Sequence, residues 1–252
     1  MKFYFIILLI CTCLFNVTFS FKTKVNMKQG TKILALKSSS LSIIHPIVKF
    51  TGVSLFCSLQ LSQIQTAISI LKAKSCKSFS IVPFVAMYTN CFVWYLYGIT
   101  KNDALLIYPN FTGIFAGIFC SLSFQYVSSV KEKKAYNTNI IPILLSSSII
   151  TLVSYLFITS KGNPLIGLIG CTMSIILSGS PLSVMKKVID EKNSKSMVFS
   201  SSFIMFVNSL CWFLYGLIIK PDLNISVPNG IGFLLASIQM SLFLLYPDEK
   251  KM

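Results

Sequence analysis

The side chains able to recognise a small molecule occur twice in this chain, in the same order. The first set is Trp94, Tyr97, Gly98, Asp103, Pro109, Asn110 and Gly113. The second is Trp212, Tyr215, Gly216, Asp222, Pro228, Asn229 and Gly232. Trp, Tyr and Gly recur after 118 positions, and Pro, Asn and the last Gly after 119, so one inserted loop residue accounts for the difference. A carboxamide accepts through its oxygen and donates through its NH₂, which suits neighbouring hydroxyls. An indole offers a flat apolar face and one N–H donor. Two such pairs facing each other across a pseudo-two-fold axis would bind something neutral, hydroxylated and carbon-faced.

Each residue also has a plainer reading. Asn110 and Asn229 could stitch helices together, since an amide in hydrocarbon needs a partner. Trp94 and Trp212 could be interface anchors. Tyr97-Gly98 and Tyr215-Gly216 read as helix ends, Gly113 and Gly232 as close-packing positions, and Asp103 and Asp222 as solvated caps. Pro109 and Pro228 loosen the backbone beside each Asn, as in the broken helices of carriers. Asn110-Phe111-Thr112 is a glycosylation sequon, but it falls at membrane depth.

Other chemistries find no support. No nucleophile and base pair up, and no loop cradles phosphate. The eight Cys form no metal-ligand pattern with His and read as small apolar filler, so neither a metal nor a cofactor is expected. The formal charge of +15 comes entirely from Lys, without Arg, spread over short loops. Base reading and phosphate clamping favour Arg forks, so nucleic acid is not the expected partner.

The chain is 54% hydrophobic and only 12% charged over 252 residues, which places it in a membrane. Residues 1–20 read as a signal peptide ending in small residues, with an extra membrane helix as the alternative. Residues 21–49 form a basic leader that suits either an organelle transit peptide, as for plastids of secondary origin, or a plain secretory tail. Seven apolar spans come next, at roughly 50–71, 81–98, 104–127, 140–158, 165–185, 199–219 and 225–246. Each is near the ~20 residues that cross ~30 Å of hydrocarbon. None contains Asp, Glu, Lys or His. A proton-coupled carrier needs a group that changes charge in the pathway, so passive uniport is the economical mechanism.

Lys clusters in alternate loops and the tail, which puts the mature N-terminus outside or lumenal and the C-terminus in the cytosol. The repeats occupy 50–130 and 165–247, with a tail at 248–252. The span between them, at 138–160, lacks the shared signature and restores the direction of entry. The expected fold is an all-α membrane protein with seven transmembrane helices, as two parallel three-helix bundles joined by a linker helix.

The chain resembles the SWEET (MtN3/saliva) sugar transporters, a family built from parallel repeats. The resemblance rests on Gly179-Ser180-Pro181-Leu182, Lys195-Ser196-Met197, Trp212-Phe213-Leu214-Tyr215-Gly216-Leu217 and Val227-Pro228-Asn229-Gly230-Ile231-Gly232. In the first repeat, Pro83-Phe84, Asn90-Cys91, Tyr97-Gly98 and Pro109-Asn110 match. It implies a bidirectional facilitative sugar carrier working by alternating access. Asn110, Asn229 and Asn90 would contact sugar, with Trp212 and Trp94 as walls. Two indoles narrow the space, which favours a monosaccharide such as glucose. Pro83 and Pro181 match the family's flexing prolines, whereas Gln63 and Val198 stand where two more would be. The family also implies membrane lipid around the protein and a homo-oligomer. A related PQ-loop carrier shares the topology but shows Pro-Gln dipeptides and an acidic coupling group, and a seven-helix receptor lacks the duplication.

Overall fold

The computed structural model describes residues 32–76, 79–128, 137–159 and 164–248. The expected signal peptide, most of the loop between the third and fourth helices, and the last tail residues lie outside these. All regular structure among the described residues is helical. Helix α1 is Lys32–Ala73, α2 Val82–Thr100, α3 Ala104–Tyr126, α4 Asn137–Thr159, α5 Pro164–Ser178, α6 Leu182–Glu191, α7 Phe199–Leu214 and α8 Leu223–Leu245. A short 3₁₀ turn covers Ser194–Ser196, and α7 runs on as a π-turn over Tyr215–Ile219.

Among the described residues, six stretches are long and apolar enough to cross a bilayer: Pro46–Ala73, Val82–Thr100, Ala104–Tyr126, Pro164–Glu191, Phe199–Ile219 and Leu223–Leu245. Leu145–Thr159 within α4 is a shorter apolar helix. The molecule is thus an integral membrane protein of the expected all-α class, with three bilayer-length stretches, the shorter apolar helix of α4 and three more stretches in chain order. Helix is the only element that satisfies every backbone group of such unalternating apolar runs in lipid.

Two details depart from the sequence reading. Helix α1 begins at Lys32, inside the segment expected to be a basic leader, and passes Pro46. The fifth span is broken: α5 ends at Ser178 and α6 restarts at Leu182, with Pro181 as its N-cap. Proline has no N–H for the ladder and clashes with the preceding turn, so a break there is its expected effect. At the corresponding place in α1, Gln63 keeps its N–H and the helix is continuous.

The chain divides into two compact units, Val53–Met173 and the part up to Gly52 together with Ser174–Met252. In the first unit, Ala67 and Ile70 of α1, Phe84 and Val85 of α2 and Cys120, Phe124 and Val127 from α3 onward form one buried cluster. In the second, Leu182, Met185 and Val188 of α6 and Leu235 and Leu242 of α8 are buried, and Ser194 N–H donates to Tyr246 O at 3.0 Å.

Candidate functional site

Each repeat builds its polar set on a tight turn between two helices. Asp103 closes the first turn: its backbone N–H donates to Gly98 O at 2.9 Å, and its carboxylate accepts from Leu105 N–H at 3.1 Å. Asp222 does the same with Gly216 O at 2.7 Å and Asn224 N–H at 3.0 Å. These carboxylates are N-caps, as expected, and satisfy donors the helix cannot, but they are not the solvated caps the sequence suggested: Asp103 is buried and Asp222 half-buried. The glycines permit the crossing. A Cβ on Gly216 would lie 2.7 Å from the Ser226 nitrogen, and one on Gly98 would lie 2.9 Å from Leu106 Cβ.

From these turns α3 and α8 each carry an asparagine. Asn110 is buried and donates Nδ2 to Leu106 O at 2.8 Å. Asn229 is half-buried and donates Nδ2 to Ile225 O at 2.7 Å. Each amide therefore spends one donor on a carbonyl one turn back, directly after a proline that has weakened the local ladder. The stitch is within the helix, not between helices, so the gluing alternative finds no bond here. An NH₂ has a second hydrogen, and the carboxamide oxygen is not used by this bond.

The indoles are held alike. Trp94 meets Tyr97 edge-on at 5.6 Å between centroids and 80°, and Trp212 meets Tyr215 at 5.4 Å and 79°. Both Trp are buried. Gly170 of α5 faces Trp94, where a Cβ would sit 3.3 Å from Cε2. Gly52 of α1 faces Trp212, where a Cβ would sit 3.6 Å from Nε1. These glycines are themselves 118 positions apart.

Asn90, Trp94 and Asn110 all lie in the first unit, and Trp212 and Asn229 in the second. Asn90 is half-buried on α2, one turn before Trp94. Its counterpart is Asn208, one turn before Trp212 on α7 and 7% exposed. Neither Asn208 Oδ1 nor Trp212 Nε1 has a hydrogen-bond partner, although both atoms are buried. Asn208 was not singled out from the sequence, yet the displacement of 118 from Asn90 marks it. Pro83 lies in the first turn of α2, where its missing N–H costs nothing. Among the described residues, no group of three or more His, Cys, Asp or Glu could hold a metal.

A second polar knot lies behind each set. Gln60 of α1 is buried over Gly113, with Nε2 3.9 Å from Cys91 Sγ and Oε1 unpartnered. A Cβ on Gly113 would lie 2.5 Å from that amide nitrogen and from Cys91 Sγ, so a larger residue there would displace both side-chain ends. The equivalent place in the other repeat holds Ser178 and Ser209 around Gly232. Shorter side chains there leave that crossing less filled.

Similarity to known proteins respects the same division. The family described as sugar efflux transporter for intercellular exchange matches twice, over residues 46–133 and 164–251. The bidirectional sugar transporter SWEET5 of Arabidopsis thaliana is 32% identical over 209 residues, covering 81% of this chain and 84% of its own. SWEET7 from the same plant is 32% identical over 220 residues, covering 84% of both. A solved eukaryotic SWEET transporter superposes with a TM-score of 0.71 at 27% identity, covering 82% of this chain and 99% of that one.

Proposed function

Because the chain belongs to the SWEET (MtN3/saliva) family, whose members are sugar transporters and not enzymes, we propose that it is a bidirectional facilitative sugar uniporter that favours a monosaccharide such as glucose. The observation that carries this reading is the pair Asn208 and Trp212. They stand one turn apart on α7, an acceptor and a donor, both buried and both without a partner. A buried polar group left unmade costs on the order of 1–3 kcal/mol. A solute bearing adjacent hydroxyls relieves both once it is admitted, whereas an apolar or purely anionic solute relieves at most one.

Asn110, Asn229 and Asn90 supply further amides, and Trp94 and Trp212 supply flat faces for a sugar ring. Their repetition suits alternating access, in which each repeat does similar work. The break at Pro181 offers one pivot. With no Asp, Glu, Lys or His in the seven apolar spans read from the sequence, no charge-changing group there ties sugar movement to protons. The Lys-rich loops favour an N-terminus outside or lumenal and a cytosolic C-terminus, in a plasma, endomembrane or plastid-type membrane, as a homo-oligomer.

The test is a panel of labelled sugars with purified protein in liposomes. Saturable uptake of glucose, in either direction and faster than of sucrose, is expected. Liposomes no more permeable to any sugar than empty ones would overturn the reading.

A further inference from the structure

Trp212 is packed in an incomplete way. Its Nε1 is buried with no hydrogen-bond partner, and the backbone facing that edge is α1 at Gly52. A Cβ on Gly52 would lie 3.6 Å from Nε1, 3.7 Å from Cε2 and 3.3 Å from Cys211 Cβ. The site therefore has room for a small side chain if its neighbours yield by a few tenths of an ångström. Glycine brings α1 against the indole and offers its N–H nothing. The repeat-equivalent glycine differs. A Cβ on Gly170 would lie nearest the Trp94 ring carbons Cε2 and Cζ2, at 3.3 and 3.5 Å, and Trp94 Nε1 is not among the unpartnered buried atoms.

We propose that Gly52 is a positioning residue for Trp212, and that its missing side chain keeps the packing of α1 over the indole reversible. An unpaired buried donor disfavours the packing in which it is buried. A conformation that uncovers the indole lets water or a sugar hydroxyl take the N–H. The two packings are thereby kept close in free energy, and a carrier that must pass between them gains rate. The inference deepens the carrier reading and rests on it only for what is carried.

Serine at this position converts the packing into a latch. Its hydroxyl can accept from Nε1 while donating to the carbonyl one turn back, the usual bond of serine in a helix. Alanine adds a similar volume without an acceptor, so the comparison isolates the hydrogen bond.

The full chain is reconstituted in liposomes as wild type, Gly52→Ser, Gly52→Ala, Trp212→Phe and the double variant Gly52→Ser/Trp212→Phe. Thermal unfolding and labelled-sugar flux are measured on each. Gly52→Ser is expected to unfold at a higher temperature than Gly52→Ala and to carry sugar roughly five- to tenfold more slowly. Phenylalanine at 212 removes the donor, so in that background serine loses its stabilising effect. Equal unfolding and flux for the serine and alanine variants would overturn the proposal, as would a serine effect that survives without the indole. Should Gly52→Ser not fold, the indole N–H vibration decides in the Trp94→Phe protein, where Trp212 is the sole indole. A band typical of an unbonded N–H without sugar upholds the inference, and a bonded one overturns it. Wild-type liposomes that pass no sugar would overturn the carrier reading, while the unfolding comparison and the N–H band still judge Gly52 by themselves.

Discussion

Asn110 turns its amide back on Leu106, 2.8 Å from the carbonyl one turn earlier in the same helix, and Asn229 does the same to Ile225 at 2.7 Å. A bond confined to one turn orients the side chain without holding two helices together. Asn110→Ala and Asn229→Ala should therefore fold and insert, each losing about 1 kcal/mol or less of stability, the usual worth of a hydrogen bond in a membrane protein. Thermal unfolding in detergent measures this. A collapse of the folded protein would show that the amides are structural.

The glycines at the helix crossings should behave in the opposite way. A Cβ on Gly117 would lie 2.6 Å from Tyr88 Cβ and 2.8 Å from the Tyr88 nitrogen, and neither backbone nor Cβ can swing aside. Gly117→Ala and Gly216→Ala should each cost roughly 1–3 kcal/mol by overpacking. Unfolding midpoints should fall well below that of Gly179→Ala, whose nearest contact is 3.2 Å.

The missing proline gives a third expectation. Helix α1 runs unbroken through Gln63, and Cys120 Sγ donates to the Gln63 carbonyl at 3.4 Å, whereas the equivalent Pro181 divides α5 from α6. Gln63→Pro removes a ladder bond and should cost about 3 kcal/mol locally. If α1 must flex during transport, flux per folded molecule should rise. A folded variant with unchanged or lower flux would show that α1 moves as a rigid rod.

Flux should also be flat in pH. The seven apolar spans read from the sequence contain no carboxylate, imidazole or ammonium, and Lys49, Lys72, Lys186, Lys187, Asp190 and Glu191 lie near the ends of the bilayer-length stretches. Uptake between about pH 5.5 and 8, the range where histidine changes charge, should vary less than twofold without a pH gradient. A gradient should drive no accumulation. Proton-driven uptake would require a coupling group that the sequence does not place in the spans.

Much of the fold was legible because hydrocarbon leaves few alternatives. Apolar runs of bilayer length must be helices, and their limits at Ala104 and Phe199 are those the structure shows. The early start of α1 was hidden because residues 32–45 carry Lys and Ser, which composition alone assigns to a leader. The division of the fifth span depends on how one proline acts inside an apolar run, which hydropathy does not report. In the site, the duplicated Trp and Asn were evident from types and spacing. Asn208 carried the same signal but stood outside the duplicated signature. Gly52 and Gly170 were invisible, because a glycine's role lies in what a Cβ would touch, and that needs coordinates.

The most direct test of the central claim is saturable glucose flux into liposomes by wild type, Asn110→Ala and Asn229→Ala, normalised to folded protein. The wild type should carry glucose, and each alanine variant should lose about tenfold or more, since each removes hydroxyl contacts worth roughly a hydrogen bond or more. Glucose flux that persists undiminished in both variants would contradict the account.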